Sequence, residues 1–170
     1  MNYIGIDPST KTGLVILNQN GNIKLETEVK SKVKQDPQRF MDLSDQIVKL
    51  INQTCKGEEV KILIEGFSFG SRGKAVSTQY GIGWVIRSLL VESLLEYTEV
   101  SPSALKKFAT GKGNCKKEDM ILPIYKRWGY QNDSDNIRDA YVLAQIGRYL
   151  DGHAEPTKFQ EEVLKKLRGE

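Results

Sequence analysis

Cysteine and histidine are scarce: the 170 residues hold two cysteines, Cys55 and Cys115, and a single histidine, His153. No CxxC pair occurs, so a zinc site built from the usual Cys and His ligands is excluded, and both cysteines are expected to be reduced packing residues. The lone histidine also removes most Ser-His-Asp and Cys-His chemistry, because His153 follows the last strongly patterned element in a stretch that reads as loop. Long apolar runs are missing too. The stretch around Trp84 to Ile86 is soon broken by Arg, Ser and Glu, which excludes a membrane-spanning helix of about 20 apolar residues. Residues Met1 to Asp7 reach an acid before any apolar signal core could form, and no basic segment precedes them, so a cytoplasmic location is expected. A chain of this length needs no disulfide or metal staple to bury a core. If the chain is an enzyme, its chemistry is expected to rest on carboxylates, with or without a metal.

Charge of one sign is also modest overall, with 25 basic and 22 acidic residues and a net charge of +3. Its distribution is uneven. Between Ser101 and Tyr130 seven basic residues, among them Lys106, Lys107, Lys112, Lys116 and Lys117, face only Glu118 and Asp119, a local excess of +5. Such an excess is either an electrostatic footprint for a polyanion or a lysine-rich solvated face.

The hydrophobic pattern predicts one α/β domain. Tyr3-Ile4-Gly5-Ile6 and Leu14-Val15-Ile16-Leu17 read as strands joined by a turn containing Gly13, and Ile23 to Val29 alternates with period two as an edge strand does. Together they predict a three-strand antiparallel meander. Phe40, Leu43, Ile47, Leu50 and Ile51 form one helical stripe after Asp36-Pro37. Val60 to Glu65 is apolar nearly throughout, which suits a central parallel strand covered on both faces. A loop rich in Gly and Ser leads to a long helix over 75–96 that is apolar on more than one side, so it is expected to pack on two things at once, the sheet and a second copy of the chain; Gly81 and Gly83 would allow close backbone approach, or simply deep burial within the monomer. A short strand around Thr98 to Val100, a helix pair split by Thr110 to Asn114, and a last core helix over 134–150 complete the fold. The expected class is α/β with a mixed five-stranded sheet, the meander plus two parallel strands, flanked by helices. Residues 1–150 are read as the domain and 151–170 as its C-terminal tail, carrying a short amphipathic helix with Phe159, Val163, Leu164 and Leu167 as its stripe.

Four acids are candidates to meet. Asp7 ends the first strand and Glu65 the fourth; if those strands are parallel neighbours, both carboxylates emerge at the carboxyl edge, where open α/β sheets bind ligands. Asp135 and Asp139 stand four residues apart on the last core helix and so project from one face. Carboxylates gathered without a histidine repel one another unless hard divalent cations hold them, and two such ions about 3.5–4 Å apart serve phosphoryl displacement. Each acid also has a plainer role open to it: a turn former before Pro8, a strand-end surface residue, or a charge near a helix N-terminus capped by Asp133 or Ser134.

At these residues the chain resembles a RuvC-type Holliday junction resolvase. Gly5-Ile6-Asp7-Pro8-Ser9, the strand ending Ile64-Glu65, Ser101-Pro102-Ser103 through Lys106-Lys107 to Thr110-Gly111-Lys112-Gly113 and Lys116-Lys117, and Asp139-Ala140 follow in order from Asn2 to about Leu150. The pairing of Pro-Ser-x-x-Lys-Lys with Thr-Gly-x-Gly between two acidic motifs is the most specific part. The resemblance implies an RNase H-like fold, a homodimer formed through the 75–96 helix, Mg²⁺ or Mn²⁺ as cofactor with two ions per site, and paired nicking of four-way DNA junctions. It assigns catalysis to Asp7, Glu65, Asp135, Asp139 and Lys117, with the four acids as metal ligands. The family acid three residues before the final Asp is here Asn136, and Asp135 is the replacement at hand; Asp-Asn-x-x-Asp is similar to phage-type members, so a bacterial cell or an infected host cell is the implied setting. DNA contacts are assigned to Phe67, Phe69, Arg72, Lys74, Lys106, Lys107, Lys112, Lys116 and Lys117. An aromatic at Phe67 or Phe69 would stack on a base at the junction centre, and Gly111 and Gly113 would either admit a phosphate to the backbone or end a helix.

Three other readings share some of these residues. An actin-like phosphotransfer domain also has a hairpin such as Asp7 to Gly13, but it needs a second half for which 170 residues leave no room. A binding-only module for branched DNA would lack a convergent acid. A related nuclease could act on RNA or on DNA flaps and forks, since substrate choice lies in dimer geometry and loop shape.

Overall fold

The computed structural model describes residues 1–68 and 74–170, the side chains of 74 and 75 excepted. Five strands form one sheet: β1 (Asn2–Asp7), β2 (Thr12–Asn18), β3 (Ile23–Val29), β4 (Val60–Glu65) and β5 (Tyr97–Val100), in the spatial order β3-β2-β1-β4-β5. The first three pair antiparallel, whereas β1–β4 and β4–β5 are parallel, as the patterning predicts. The helices are α1 (Gln38–Cys55), α2 (Lys74–Glu92), α3 (Pro102–Thr110), α4 (Ile121–Trp128), α5 (Asp135–Leu150) and α6 (Lys158–Arg168), with a 3₁₀ turn at Glu118–Met120 ahead of α4. Among the described residues no helix is long and apolar enough to cross a membrane.

Alternation along the strands divides the interior into two layers. Ile4, Ile6, Leu14, Ile16, Ile62 and Ile64 pack with Phe40, Leu43, Ile47 and Ile51 of α1 and with Ile82, Ile86 and Leu90 of α2. Tyr3, Val15, Leu17 and Leu63 point the other way, onto Ala140, Leu143 and Ala144 of α5. That second layer extends through Phe108 and Leu105 of α3 to Val163 and Leu164 of α6, so the amphipathic tail packs back on the same core. Its N-terminus carries a capping box between Thr157 and Gln160.

Two glycines let α5 lie against the sheet. A Cβ on Gly5 would fall 1.8 Å from the Ala140 carbonyl oxygen, and one on Gly13 would fall 2.0 Å from that of Asn136. This close crossing carries Asp139 to the end of β1. Gly13, read from the sequence as a turn residue, lies within β2 opposite Asp7.

One sequence expectation is corrected here and one choice of alternatives is decided. The long helix ends at Glu92, not at residue 96, because Leu94 adopts a left-handed conformation (φ 58°) and the Leu95 amide bonds back to the Leu90 carbonyl. Gly81 and Gly83 follow the within-chain alternative and face rings of the same chain: Cβ atoms there would sit 2.5 Å from Phe40 and from Phe67, respectively. The outer side of α2 is exposed all the same, at Trp84 (57%) and Val91 (61%), and Leu94 just beyond it is 91% exposed.

Candidate active site

Parallel pairing of β1 with β4 sets Ile6 beside Ile64, so the next residues along both strands, Asp7 and Glu65, leave the sheet together at its carboxyl edge. Asp7 is buried and Glu65 half-buried. Opposite them α5 begins with Ser134 as its N-cap; the Ser134 hydroxyl accepts from the Ile137 amide at 3.3 Å and donates to Glu28 Oε1 at 2.6 Å. Asp135 occupies the first turn and Asp139 the second, buried beneath it.

Lys117 reaches this edge from the segment after α3. Its Nζ lies 2.7 Å from Asp135 Oδ2 and 3.3 Å from Asp139 Oδ2. Of the two positions 135 and 136, Asp135 shares the Lys117 contact with Asp139, whereas the Asn136 amide donates to the Lys11 carbonyl at 2.9 Å and ties down the β1–β2 turn.

The electrostatics are those of crowded acids. Burial pushes the Asp7 carboxyl well above its ordinary range, and the charge of Glu65, a hydrogen bond to Glu65 and the charge of Asp139 add to the effect. Asp139 is pushed up to about 6, again chiefly by burial, with the attraction of Lys117 working against it. Asp135, nearer water, is held below its usual value by the hydrogen bond from Lys117. Partial burial disfavours the Lys117 ammonium, but the hydrogen bond to Asp135 and the charges of Asp139, Asp7 and Asp135 outweigh it and keep the group protonated above its ordinary range.

Among the described residues no three His, Cys, Asp or Glu side chains stand together as a ready set of metal ligands; the ammonium of Lys117 takes up part of the negative charge. The donors nevertheless have the right chemistry for a hard divalent cation: oxygen atoms only, from three elements, with Asp7 and Asp139 each made costly to ionise by burial first and by the neighbouring acids second.

The basic segment lies on α3 and the turn that follows. Ser101 caps α3 by accepting from the Ala104 amide, Pro102 occupies its first turn, and Gly111 ends it in a left-handed conformation (φ 86°). Thus the Ser-Pro-Ser and Thr-Gly motifs mark the two ends of one helix. Lys112 and Lys116 are exposed and Lys106 half-buried. Lys107 pairs with Glu162 of α6 at 2.7 Å, a contact the sequence alone did not reveal.

Phe67 sits half-buried just past Glu65, stacked on Tyr80 with centroids 4.8 Å apart and planes 3° from parallel. Phe69 and Arg72 lie outside the described residues, as does the side chain of Lys74. A small cleft lined by Pro8, Glu65, Gly66, Phe67, Gln79 and Arg87 opens beside the acids, and Gln79 also borders a groove of about 470 Å³ that runs along Ser9, Thr10, Arg39 and Thr78.

No family model matches the chain. The structure of Thermus thermophilus RuvC superposes with a TM-score of 0.69 at 19% identity, over 92% of this chain and 100% of that one. The fold is that of RuvC. A second RuvC structure from T. thermophilus, in complex with a Holliday junction substrate, gives a TM-score of 0.65 at 20% identity over 92% and 99%. In sequence, the crossover junction endodeoxyribonuclease RuvC of Campylobacter hominis is 25% identical over 150 residues, covering 85% of this chain and 93% of the relative. These likenesses show the RuvC-type fold, with the mixed five-stranded sheet expected from the sequence. In this RuvC fold the acids of β1, β4 and α5 meet at one edge.

Proposed function

We propose that the chain is a divalent-metal-dependent endonuclease that resolves four-way DNA junctions by paired, symmetric nicks, leaving 5′-phosphate and 3′-hydroxyl ends. The observation that carries this reading is the meeting of Asp7, Glu65 and Asp139 at the carboxyl edge of a RuvC-type sheet, with Lys117 at the same edge. A relative of similar length is named a crossover junction endodeoxyribonuclease, and a structure of like fold holds a Holliday junction.

Asp7, Glu65, Asp135 and Asp139 would hold Mg²⁺ or Mn²⁺, two ions per site, which when bound supply an activated water and neutralise charge on the leaving oxygen. The chain's own residues prepare that site. Asp7, buried like Asp139, stands between neighbours from β4 and α5; its burial limits access of bulk water, so charges placed there act through a lowered dielectric. Lys117 stays protonated at every working pH and sets a cation beside the position where negative charge on a phosphate would grow.

Lys106, Lys107, Lys112 and Lys116 then contact phosphates and fix the register of the DNA, without reading its sequence. Phe67 and its sequence neighbours Phe69, Arg72 and Lys74 would meet the junction centre, where a ring can stack on an unpaired base; Phe67, stacked on Tyr80 and covered by Arg87, would meet it by its edge. The outer face of α2, with Trp84, Val91 and Leu94 exposed, supports a homodimer that presents two active sites to two strands. Residues 1–150 with the packed tail act as one nuclease domain. Asp135-Asn136-x-x-Asp139 favours a phage-like member working in the cytoplasm of a bacterial or infected host cell.

The test is cleavage of labelled four-way junction, Y-fork, duplex and RNA substrates with Mg²⁺, Mn²⁺ or EDTA, beside Asp7→Asn. Symmetric nicks on the junction that require metal and vanish in the variant, while junction binding persists, are expected. Tight binding without cutting by the unmodified protein would make it a binding module, and preferential cutting of forks or RNA would discard the junction as substrate.

A further inference from the structure

Arg87 is a cation placed where α2 otherwise needs only apolar packing. Its side chain is 2% exposed, and three of its nitrogens are used: Nε donates to Glu99 Oε1 at 2.5 Å, and the two terminal nitrogens donate to the carbonyls of Gly83 at 3.0 Å and Glu65 at 2.9 Å. The guanidinium also lies over the Phe67 ring, 4.3 Å from its centroid, so Phe67 is held between Arg87 and Tyr80. Gly83 makes this possible, since a Cβ there would fall 2.5 Å from the ring and 3.2 Å from the guanidinium.

The ion pair alone does not account for a buried arginine. Glu99 is 46% exposed and keeps much of its hydration, and apolar residues commonly replace buried ion pairs without loss of stability. What an apolar residue could not do is bind the Glu65 carbonyl and the Phe67 face at once. We propose that Arg87 is a positioning residue: its buried guanidinium fixes the end of β4 at Glu65 and the ring of Phe67 in one arrangement, so that the metal-binding acid and the aromatic that meets the junction are set together. This inference rests on the proposed nuclease function and adds a coupling between its two parts. Planar donors on one rigid fork suit that task, and a lysine ammonium does not.

The test uses the full chain and Arg87→Lys, which keeps the charge but cannot span the three acceptors while lying flat on a ring. Melting temperature controls for folding. Junction affinity is measured in EDTA, single-turnover cleavage is followed against Mn²⁺ concentration, and a 2-aminopurine at the junction centre reports unstacking. Loss of an outer-shell support of this kind typically lowers metal affinity or activity by about 10–100-fold. Accordingly, a folded Arg87→Lys variant with near-normal junction affinity should need about 10-fold more Mn²⁺ for half-maximal cleavage and give a weaker 2-aminopurine signal. Both readouts moving together is the signature of positioning; a merely structural residue would lower the melting temperature and leave the Mn²⁺ midpoint in place. Should Arg87→Lys fail to fold, Glu99→Gln, which removes the exposed anchor of the guanidinium, should move both readouts in the same direction by a smaller factor. A folded variant with the Mn²⁺ midpoint and 2-aminopurine signal of the unmodified protein would overturn the inference alone. If the unmodified protein cuts no junction with Mn²⁺, the proposed function falls and this inference with it.

Discussion

Asp139→Asn should make the protein more stable at neutral pH and inactive at once. The Asp139 carboxyl is pushed up to about 6 from an ordinary 3.8, and its side chain is 6% exposed. Because the folded pKa lies above the unfolded one, the folded state holds the extra proton between these values. The group is neutral in both states below about pH 3.8, and stability is then lost as pH rises through about 6. At 1.36 kcal/mol for each pKa unit, the ionised carboxylate costs on the order of 3 kcal/mol above that range. The attraction of Lys117 is already contained in this balance, and Asp135 still pairs with Lys117 in the variant. Allowing for local relaxation, a gain of about 1–3 kcal/mol at pH 7.5 is expected, or ~3–9 °C in melting temperature for a domain of this length. The assay is urea denaturation in EDTA at pH 4 and pH 7.5, with the variant beside the unmodified protein. The gain should appear at pH 7.5 and shrink toward zero at pH 4. No gain at pH 7.5, or an equal gain at both pH values, would refute the claim that the buried charge is the cause.

Two further predictions concern the frame and the dimer. Gly5→Ala must displace α5, since the new Cβ would fall 1.8 Å from the Ala140 carbonyl oxygen; overpacking of this kind should cost ~3 kcal/mol, seen as a thermal midpoint lower by about 6–12 °C, with slowed cleavage because Asp139 rides on the same helix. Val91→Asp, on the exposed outer side of α2, should leave the melting temperature within a few degrees but convert a dimer to a monomer in sedimentation equilibrium; an unchanged mass would remove this face from the dimer interface.

Much of this fold was legible because its signals are local. The apolar run of β4, the alternation of β3 and the stripes of α1 and α6 each follow from side chains a few residues apart, and the position of Asp7 and Glu65 at strand ends followed once β1 and β4 were parallel. Other features depend on partners distant in the chain. Gly5 and Gly13 read as motif and turn residues, since the helix that needs their missing side chains is α5, more than a hundred residues away. Charge distribution marks Lys117 only as one lysine of a basic cluster and the resemblance alone sets it apart; its contact with Asp135 and Asp139 needs α5 brought beside it. The end of α2 was overshot because the apolar period continues through Leu94 and Leu95, while a non-glycine residue in the left-handed region carries no strong sequence mark. Arg87 looked like an interruption that kept a helix out of the membrane; only the fold places the Glu65 carbonyl and the Phe67 ring around it.

The most direct measurement uses a supercoiled plasmid that extrudes a cruciform, incubated with Mg²⁺ and the unmodified protein or Asp7→Asn. Paired nicks across the junction within the lifetime of one complex yield linear plasmid, and unpaired nicks yield open circles. The account predicts linear product that needs metal and is absent with Asp7→Asn. Open circles alone, or an intact plasmid under conditions where the protein binds the junction, would contradict it.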